Sequence, residues 1–132
     1  MDLVIVGIGG ALGSLTRYQL GKVISRKFNT TFPIATFIIN ITGAILLGMV
    51  SHLAVSKSAY LLLGDGFLGA YTTFSTFMYE GFHLFQKSKK LNKFTYILLT
   101  LLLGISGYAL GFWLVLPYRF LLFIDKFNHC FF

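Results

Sequence analysis

The sequence predicts an all-α integral membrane protein with four transmembrane helices. Hydrophobic residues make up 56% of its 132 residues and charged residues only 11%, whereas about 25% of a soluble domain is charged. The charges are also confined to short stretches between long apolar segments. We therefore attribute the formal net charge of +7 to contact with the lipid bilayer and control of topology, and we expect no nucleic-acid partner.

Each helix is predicted from an apolar segment of about the 20 residues that a bilayer requires. The segments are residues 3–20, 33–55, 60–79 and 94–116. Arg17 lies near the end of the first segment, where it could reach the interface or bind an internal carbonyl. Asp65 and several hydroxyls interrupt the third segment, which we therefore expect to face protein or water rather than lipid.

Residues 1–117 are predicted to form one transmembrane domain and residues 118–132 a separate aromatic tail. The tail follows Pro117 and reads YRFLLFIDKFNHCFF, which is too short and too charged to span a bilayer. This pattern favours an interfacial amphipathic segment, and a disordered end is the alternative.

The basic residues of the loops predict an orientation in the membrane. Seven Lys and Arg residues follow the first and third segments, namely Lys22, Arg26, Lys27, Lys87, Lys89, Lys90 and Lys93. Three fall on the opposite side, namely Lys57, Arg119 and Lys126. The positive-inside rule therefore puts the first and third loops in the cytoplasm and both termini outside.

Glycines of the first and fourth segments are predicted to be structural. The run that includes Gly9 and Gly13 misses the spacing of a dinucleotide-binding loop, and no acidic residue follows at the required distance. Small residues four apart instead favour close packing of helices. This pattern occurs at Gly9 with Gly13 and at Gly107 with Gly111.

Nothing in the sequence indicates an enzyme. No nucleophile has a neighbouring base and no two carboxylates form a pair. The three histidines and the single cysteine also lack the spacing of a transition-metal site.

Residues 66–77, which read GFLGAYTTFSTF, are the best candidate for a functional site. Phe74 and Phe77 are three residues apart and share a helix face. They could form a packed aromatic pair among hydroxyls bonded to the preceding turn. Alternatively, the positive ring edges and the hydroxyl donors could line a path for a small, strongly hydrated anion.

Asn40 lies in the middle of the second segment, with Thr36 one turn before it. An amide in hydrocarbon must find hydrogen-bond partners. An interhelical hydrogen bond and a donor in a pore lining both fit this position.

Three separated blocks of the sequence resemble the Fluc/CrcB family of fluoride channels. They are GGALGSLTRY at residues 9–18, the stretch 33–43 with Gly48 closing it, and residues 66–77. The resemblance covers all four segments but not the tail, and the TTFSTF string is its most specific part. It implies an antiparallel, dual-topology type dimer with two pores, in which the third helix is broken near its centre.

The resemblance also implies roles for individual residues. Phe74 and Phe77 match paired phenylalanines whose ring edges line the fluoride path. Polar residues of that path are implied at Asn40, Ser75, Thr76, Thr36, Tyr96 and Thr100. Gly69 and Thr72 match the break, where backbone carbonyls of both subunits hold a central, structural Na⁺ that is not transported. Gly104 falls where some relatives carry a serine.

The implied function is a fluoride-specific channel in the plasma membrane of a prokaryote, which exports F⁻ passively and lowers intracellular fluoride toxicity. Two other classes also fit a chain of this size. A proton-coupled small multidrug-type exporter would require an acid within the membrane. A non-conducting partner subunit of a heterodimeric channel would require a second chain.

The charge bias departs from the implied dimer, because a sequence that inserts in both directions should carry balanced loops. The hypothesis that follows is a fixed orientation and a separately encoded, inverted homologous subunit. A homodimer is the alternative.

Overall fold

In the part of the chain that the computed structural model describes, every regular secondary-structure element is a helix. That part is the backbone of residues 1–28, 30, 32–53, 55–87 and 90–131, with the side chains of these residues except 84–93 and 121–132. The elements in order are α1 (Asp2–Lys27), α2 (Ile34–His52), α3 (Lys57–Tyr60), a π-helical segment (Leu61–Leu68), α4 (Gly69–Tyr71), α5 (Phe74–Lys87) and α6 (Lys90–Phe131). The prediction of an all-α fold is confirmed.

Among the described residues, three helical stretches are long and apolar enough to cross a membrane without interruption. They are Asp2–Lys27, Ile34–His52 and Phe94–Phe120. The remaining predicted span is divided into two runs of similar length, residues 57–71 and Phe74–Lys87. The chain therefore has the four predicted membrane segments, and the third is discontinuous.

The interruption of the third span lies at Thr72 and Thr73. Thr72 has φ −74° and ψ 160°, an extended conformation that ends the helix and redirects the backbone. Within the described residues no peptide bond is cis and no residue has a positive φ, so the break uses ordinary backbone geometry. The predicted break near the centre of this helix is thus observed.

Glycines allow α1 to pack directly on the backbone of the third span. A Cβ atom added at Gly9 would overlap the Leu62 carbonyl oxygen, and one added at Gly13 would overlap the Phe67 carbonyl oxygen. The Cα atoms of Gly9 and Gly66 approach closely enough that a Cβ at Gly66 would lie 3.1 Å from Gly9 Cα. The predicted packing role of Gly9 and Gly13 is confirmed.

A second glycine contact joins α2 to α6. A Cβ atom on Gly111 would overlap the Ile45 carbonyl oxygen, and one on Gly48 would overlap the Tyr108 carbonyl oxygen. At Gly107 the added atom would lie 3.0 Å from Ile45 Cγ1. The α2–α6 pair is therefore held at a backbone separation that larger residues would not permit.

The last helix continues beyond the predicted domain boundary. Pro117 lies inside α6, where its ring removes the N–H that would bond to the carbonyl of Trp113. The backbone remains helical to Phe131. The assignment of residues 118–132 as a separate segment stays a prediction. Side chains from residue 121 onward, and those of the lysines between residues 87 and 93, lie outside the described set.

We predict that Gly13→Ala destabilises the protein and that Gly7→Ala does not. The added methyl at position 13 overlaps the Phe67 carbonyl, whereas no atom lies within 4 Å of the corresponding position at Gly7. We expect Gly13→Ala to lower the free energy of unfolding by about 1–3 kcal/mol, measured by unfolding of the purified protein in detergent. Equal stability of the two variants would contradict the close packing of α1.

Candidate functional site

The break in the third span is bound by the side chain of Asn40 on α2. The Thr73 N–H donates to Asn40 Oδ1 at 2.9 Å, and Asn40 Nδ2 donates to the Thr73 carbonyl oxygen at 3.0 Å. In a continuous helix the Thr73 N–H would instead bond to the carbonyl of Gly69. The amide therefore satisfies both peptide groups of Thr73 and leaves the Gly69 carbonyl without its helical donor.

Arg17 on α1 binds the residue that precedes Thr73 at the same break. Its Nη1 donates to the Thr72 carbonyl oxygen at 3.2 Å, across 55 positions of sequence. The predicted alternative in which Arg17 binds an internal carbonyl is confirmed. The hydrogen bond gives a partner to a carbonyl that the extended Thr72 removes from the helix.

Thr73 caps the helix that restarts after the break. Its hydroxyl oxygen accepts a hydrogen bond from the Thr76 N–H at 3.3 Å and donates to Thr76 Oγ1 at 3.0 Å. This is the N-cap arrangement, in which a hydroxyl satisfies an N–H of the first helical turn. The N-terminus of α5, with its partial positive charge, therefore lies directly at the break.

Tyr71 anchors the residues that precede the break. Its side chain is buried, its ring stacks on Phe67 with centroids 5.9 Å apart, and its hydroxyl lies 3.0 Å from Thr42 Oγ1. Gly43 lies against this ring and against the methyl group of Thr72. The sequence analysis did not identify the contact between Tyr71 and Thr42. A tyrosine within an apolar span, whose hydroxyl requires a partner, was the available signal.

An open groove of about 620 Å³ runs along the break. It is bounded by α2, the two parts of the third span and α6. Six residues implied by the family resemblance line it, namely Asn40, Phe74, Phe77, Thr100, Gly69 and Thr72. Gly104 and Asp65 line it too.

The two phenylalanines occupy different environments. Phe77 is 4% exposed and packs against Tyr96, with ring centroids 5.3 Å apart. Phe74 is 74% exposed at the surface of the protomer. The ring centroids of the pair are 6.1 Å apart and the planes are inclined at 48°, so Phe74 is not covered by its neighbour.

Thr36 and Tyr96 are placed together, but in a buried cluster around Glu80 rather than on the groove. Tyr96 is fully buried, and its hydroxyl donates to Glu80 Oε2 at 3.3 Å. The buried Thr36 hydroxyl also hydrogen-bonds the Glu80 carboxylate. The sequence places Glu80 near the end of the third span, but its pairing with Thr36 and Tyr96 was not predicted.

The remaining polar residues differ in the hydrogens that they can offer to an anion. The Thr100 hydroxyl donates to the Tyr96 carbonyl at 2.7 Å, and that of Thr72 donates to the Leu68 carbonyl at 2.9 Å. Ser75 and Thr76 are exposed, and Ser75 Oγ lies 3.4 Å from Thr73 Oγ1. Asn40 Nδ2 has two hydrogens and donates one to the Thr73 carbonyl oxygen. No described group accepts the second.

Comparisons with known proteins agree over nearly the whole membrane region. The family described as "CrcB-like protein, Camphor Resistance (CrcB)" matches residues 4–112. Fluoride-specific ion channel FluC 2 of Clostridium acetobutylicum is 55% identical over 111 residues, which cover 84% of this chain and 95% of the relative. Fluoride-specific ion channel FluC 1 of Ligilactobacillus salivarius is 46% identical over 112 residues, 85% of this chain and 97% of the relative. FluC 1 of Carboxydothermus hydrogenoformans is 38% identical over 114 residues, with coverages of 86% and 93%.

We predict that Asn40→Ala destabilises the break. The change leaves the N–H and the carbonyl of Thr73 without their partners, and each unpaired buried group costs about 1–3 kcal/mol. We expect a loss of about 2 kcal/mol or more in unfolding free energy, with faster hydrogen exchange of the amides of residues 72–76. Ser14→Ala is the control, because its hydroxyl bonds only the Ala11 carbonyl of its own helix. Equal exchange in the two variants would exclude Asn40 as the clamp.

Proposed function

The chain belongs to the Fluc/CrcB family of ion channels, and on that premise we propose that it is a fluoride-specific channel through which F⁻ leaves the cytoplasm passively. Since the family is one of ion channels, the chain is not an enzyme. The observation that carries the proposal is the groove at the break, where Asn40 and the rings of Phe74 and Phe77 lie together.

The lining of the groove is suited to a small anion that must lose its water. Moving a bare ion into a medium of low dielectric constant costs on the order of 20 kcal/mol, so the protein must supply replacement dipoles. The second N–H of Asn40, the N-terminus of α5 and the positive edges of the aromatic rings provide them without a formal positive charge. Neutral groups of this kind replace hydration without trapping the ion, which conduction requires.

The direction of transport follows from acid–base chemistry and membrane potential. HF crosses membranes, ionises in the more alkaline cytoplasm and is trapped there as F⁻. An inside-negative potential favours exit of an anion by about 2.3 kcal/mol per 100 mV. A passive pore in the plasma membrane of a prokaryote therefore lowers intracellular fluoride without a pump. The bacterial sources of the relatives support that location.

The pore is completed by a second, inverted copy or homologue, which gives an antiparallel dimer with two pores. The groove is open on the protomer surface, and Phe74 is 74% exposed beside it. A ring that serves as one wall of an ion path must face a second wall. Covering this face with another subunit would bring Phe74 into an enclosed lining and shield the broken backbone from lipid.

The residues at the break fit a structural Na⁺ that is not transported. Gly69 is exposed, and its carbonyl has lost its helical donor to Asn40. Thr72 adds a hydroxyl and a carbonyl oxygen, and hard cations take such oxygen ligands. One chain offers few ligands, so Gly69 and Thr72 of two subunits would hold the ion together. When bound, the cation would supply a fixed positive charge that joins the two copies.

A non-conducting partner subunit is the second candidate, and the charge bias of the loops favours a separately encoded partner in either case. The presence of Asn40, Phe74 and Phe77 on one groove supports a conducting role for this chain. The family membership leaves the proton-coupled exporter without support.

We predict that Phe77→Ile and Phe74→Ile largely abolish fluoride efflux from liposomes that contain the purified protein, alone or with its inverted partner. An aliphatic side chain cannot offer the positive edge of an aromatic ring. Phe120→Ile is the control, because Phe120 is 64% exposed and lies beyond the region that the family matches. Normal efflux in both groove variants would remove these rings from the path, and no efflux from the unaltered protein would refute the channel.

We predict that the chain adopts a single orientation, with both termini outside the cytoplasm, because basic residues are concentrated in the first and third loops. A tag at the C-terminus should react with a membrane-impermeant reagent in intact cells and show no further reaction after the cells are opened. Labelling of two populations, one on each side of the membrane, would support the homodimer instead.

A further inference from the structure

Asp65 is an acidic residue that lines the groove, and the proposed fluoride path gives its carboxylate no role. It belongs to the π-helical segment and lines the groove with Gly69 and Thr72. It precedes the break by seven residues, or at most about 10 Å of helix. Because the break divides the third span into two similar halves, this carboxylate lies within the hydrocarbon thickness of the bilayer.

The part of the chain with described side chains provides no countercharge for Asp65. The cation nearest in sequence is Lys57, which pairs with Asp2 at 3.3 Å. Arg17 of α1 donates to the Thr72 carbonyl at the break. An ionised carboxylate at membrane depth requires a partner of opposite charge, and such residues are functional by default. A lone negative charge would also repel fluoride from the groove that is proposed to conduct it.

Arg17 places a positive charge beside the proposed cation site, so a negative charge near that site would stabilise a bound cation. Its guanidinium lies 3.2 Å from the Thr72 carbonyl oxygen, which is one of the oxygens proposed to hold the cation. A cation at Thr72 and Gly69 would therefore sit beside a fixed positive charge, which weakens its binding. A carboxylate on the same groove offsets that repulsion.

We infer that Asp65 is the counter-ion of the cation site and determines how tightly the site binds a small, hard cation. The inference rests on the proposed Na⁺ site at Gly69 and Thr72. In the proposed antiparallel dimer the inverted copy or homologue completes the site from the opposite side of the same ion. The groove then carries fixed charges that compensate one another, and the anion path remains close to neutral.

The test is the dependence of thermal unfolding on Na⁺ in purified protein, with choline replacing Na⁺ to hold the ionic strength constant. A ligand that binds only the folded state raises the unfolding temperature as its concentration exceeds the dissociation constant. For Asp65→Asn we expect the Na⁺ concentration at half-maximal stabilisation to rise about tenfold or more, from the loss of a nearby charge. Asp65→Glu should retain the response of the unaltered protein.

Two further variants are included, one as a control and one as a substitute for Asp65→Asn. Asp2→Asn removes another exposed acid, which does not line the groove, and should leave the Na⁺ response unchanged. Asp65→Ser removes the charge with a different side chain and replaces Asp65→Asn if that protein does not fold. An identical Na⁺ response with and without the Asp65 charge would overturn the inference. An unaltered protein that does not respond to Na⁺ would overturn it as well.

Fluoride efflux from liposomes at saturating Na⁺ separates this inference from the proposed function. We expect both the unaltered protein and Asp65→Asn to conduct under that condition. Loss of Na⁺ binding in Asp65→Asn supports the inference even if neither protein carries fluoride, and in that case only the channel proposal fails. If both proteins carry fluoride and their Na⁺ responses are equal, the channel proposal stands and the inference about Asp65 fails.

Discussion

The pairing of the Asn40 amide with both peptide groups of Thr73 is the interaction on which the site depends. Because the Thr73 N–H bonds to Asn40, the helix cannot close its next turn on the Gly69 carbonyl. The C-terminal end of one half-helix and the N-terminal end of the next then meet at one point. These ends carry partial charges of opposite sign. A single side chain on α2 thus creates neighbouring environments for an anion and for a cation, an arrangement that discontinuous membrane helices use for ion binding.

Such a break is tolerated at membrane depth because the freed backbone groups find partners within the protein. Arg17 binds the Thr72 carbonyl, Asn40 binds both groups of Thr73, and the Thr73 hydroxyl caps α5. The glycine contacts make this possible, since Gly13 brings α1 onto the backbone of the third span. Packing and polar pairing are therefore coupled, and α1 serves both as a scaffold and as a source of one hydrogen-bond donor.

The sequence predicted the features that depend on local pattern. Apolar length identified the four membrane segments, and residue spacing identified the glycine pairs, including Gly9 with Gly13. The resemblance led to the expected break, which occurs at two threonines and carries no helix-breaking Pro or Gly at that point. The sequence did not predict how each helix is rotated about its own axis, which decides the side chains that face the core. This rotation buries Phe77 and exposes Phe74, and it turns Tyr96 toward Glu80 instead of the groove. Such outcomes depend on tertiary contacts between distant segments, and the roles of these residues in a fluoride path stay predictions.

The length of α6 has a practical consequence for imaging. Its 42 residues extend about 63 Å at 1.5 Å per residue, roughly twice the 30 Å of a bilayer's hydrocarbon core. A straight helix of this length along the bilayer normal would extend past the acyl chains for about half of its residues. Small channels are difficult targets for electron cryomicroscopy because the detergent micelle hides their features. A helix that continues out of the micelle offers a point for fusing a fiducial domain in helical register, so that particles can be aligned on mass outside the membrane.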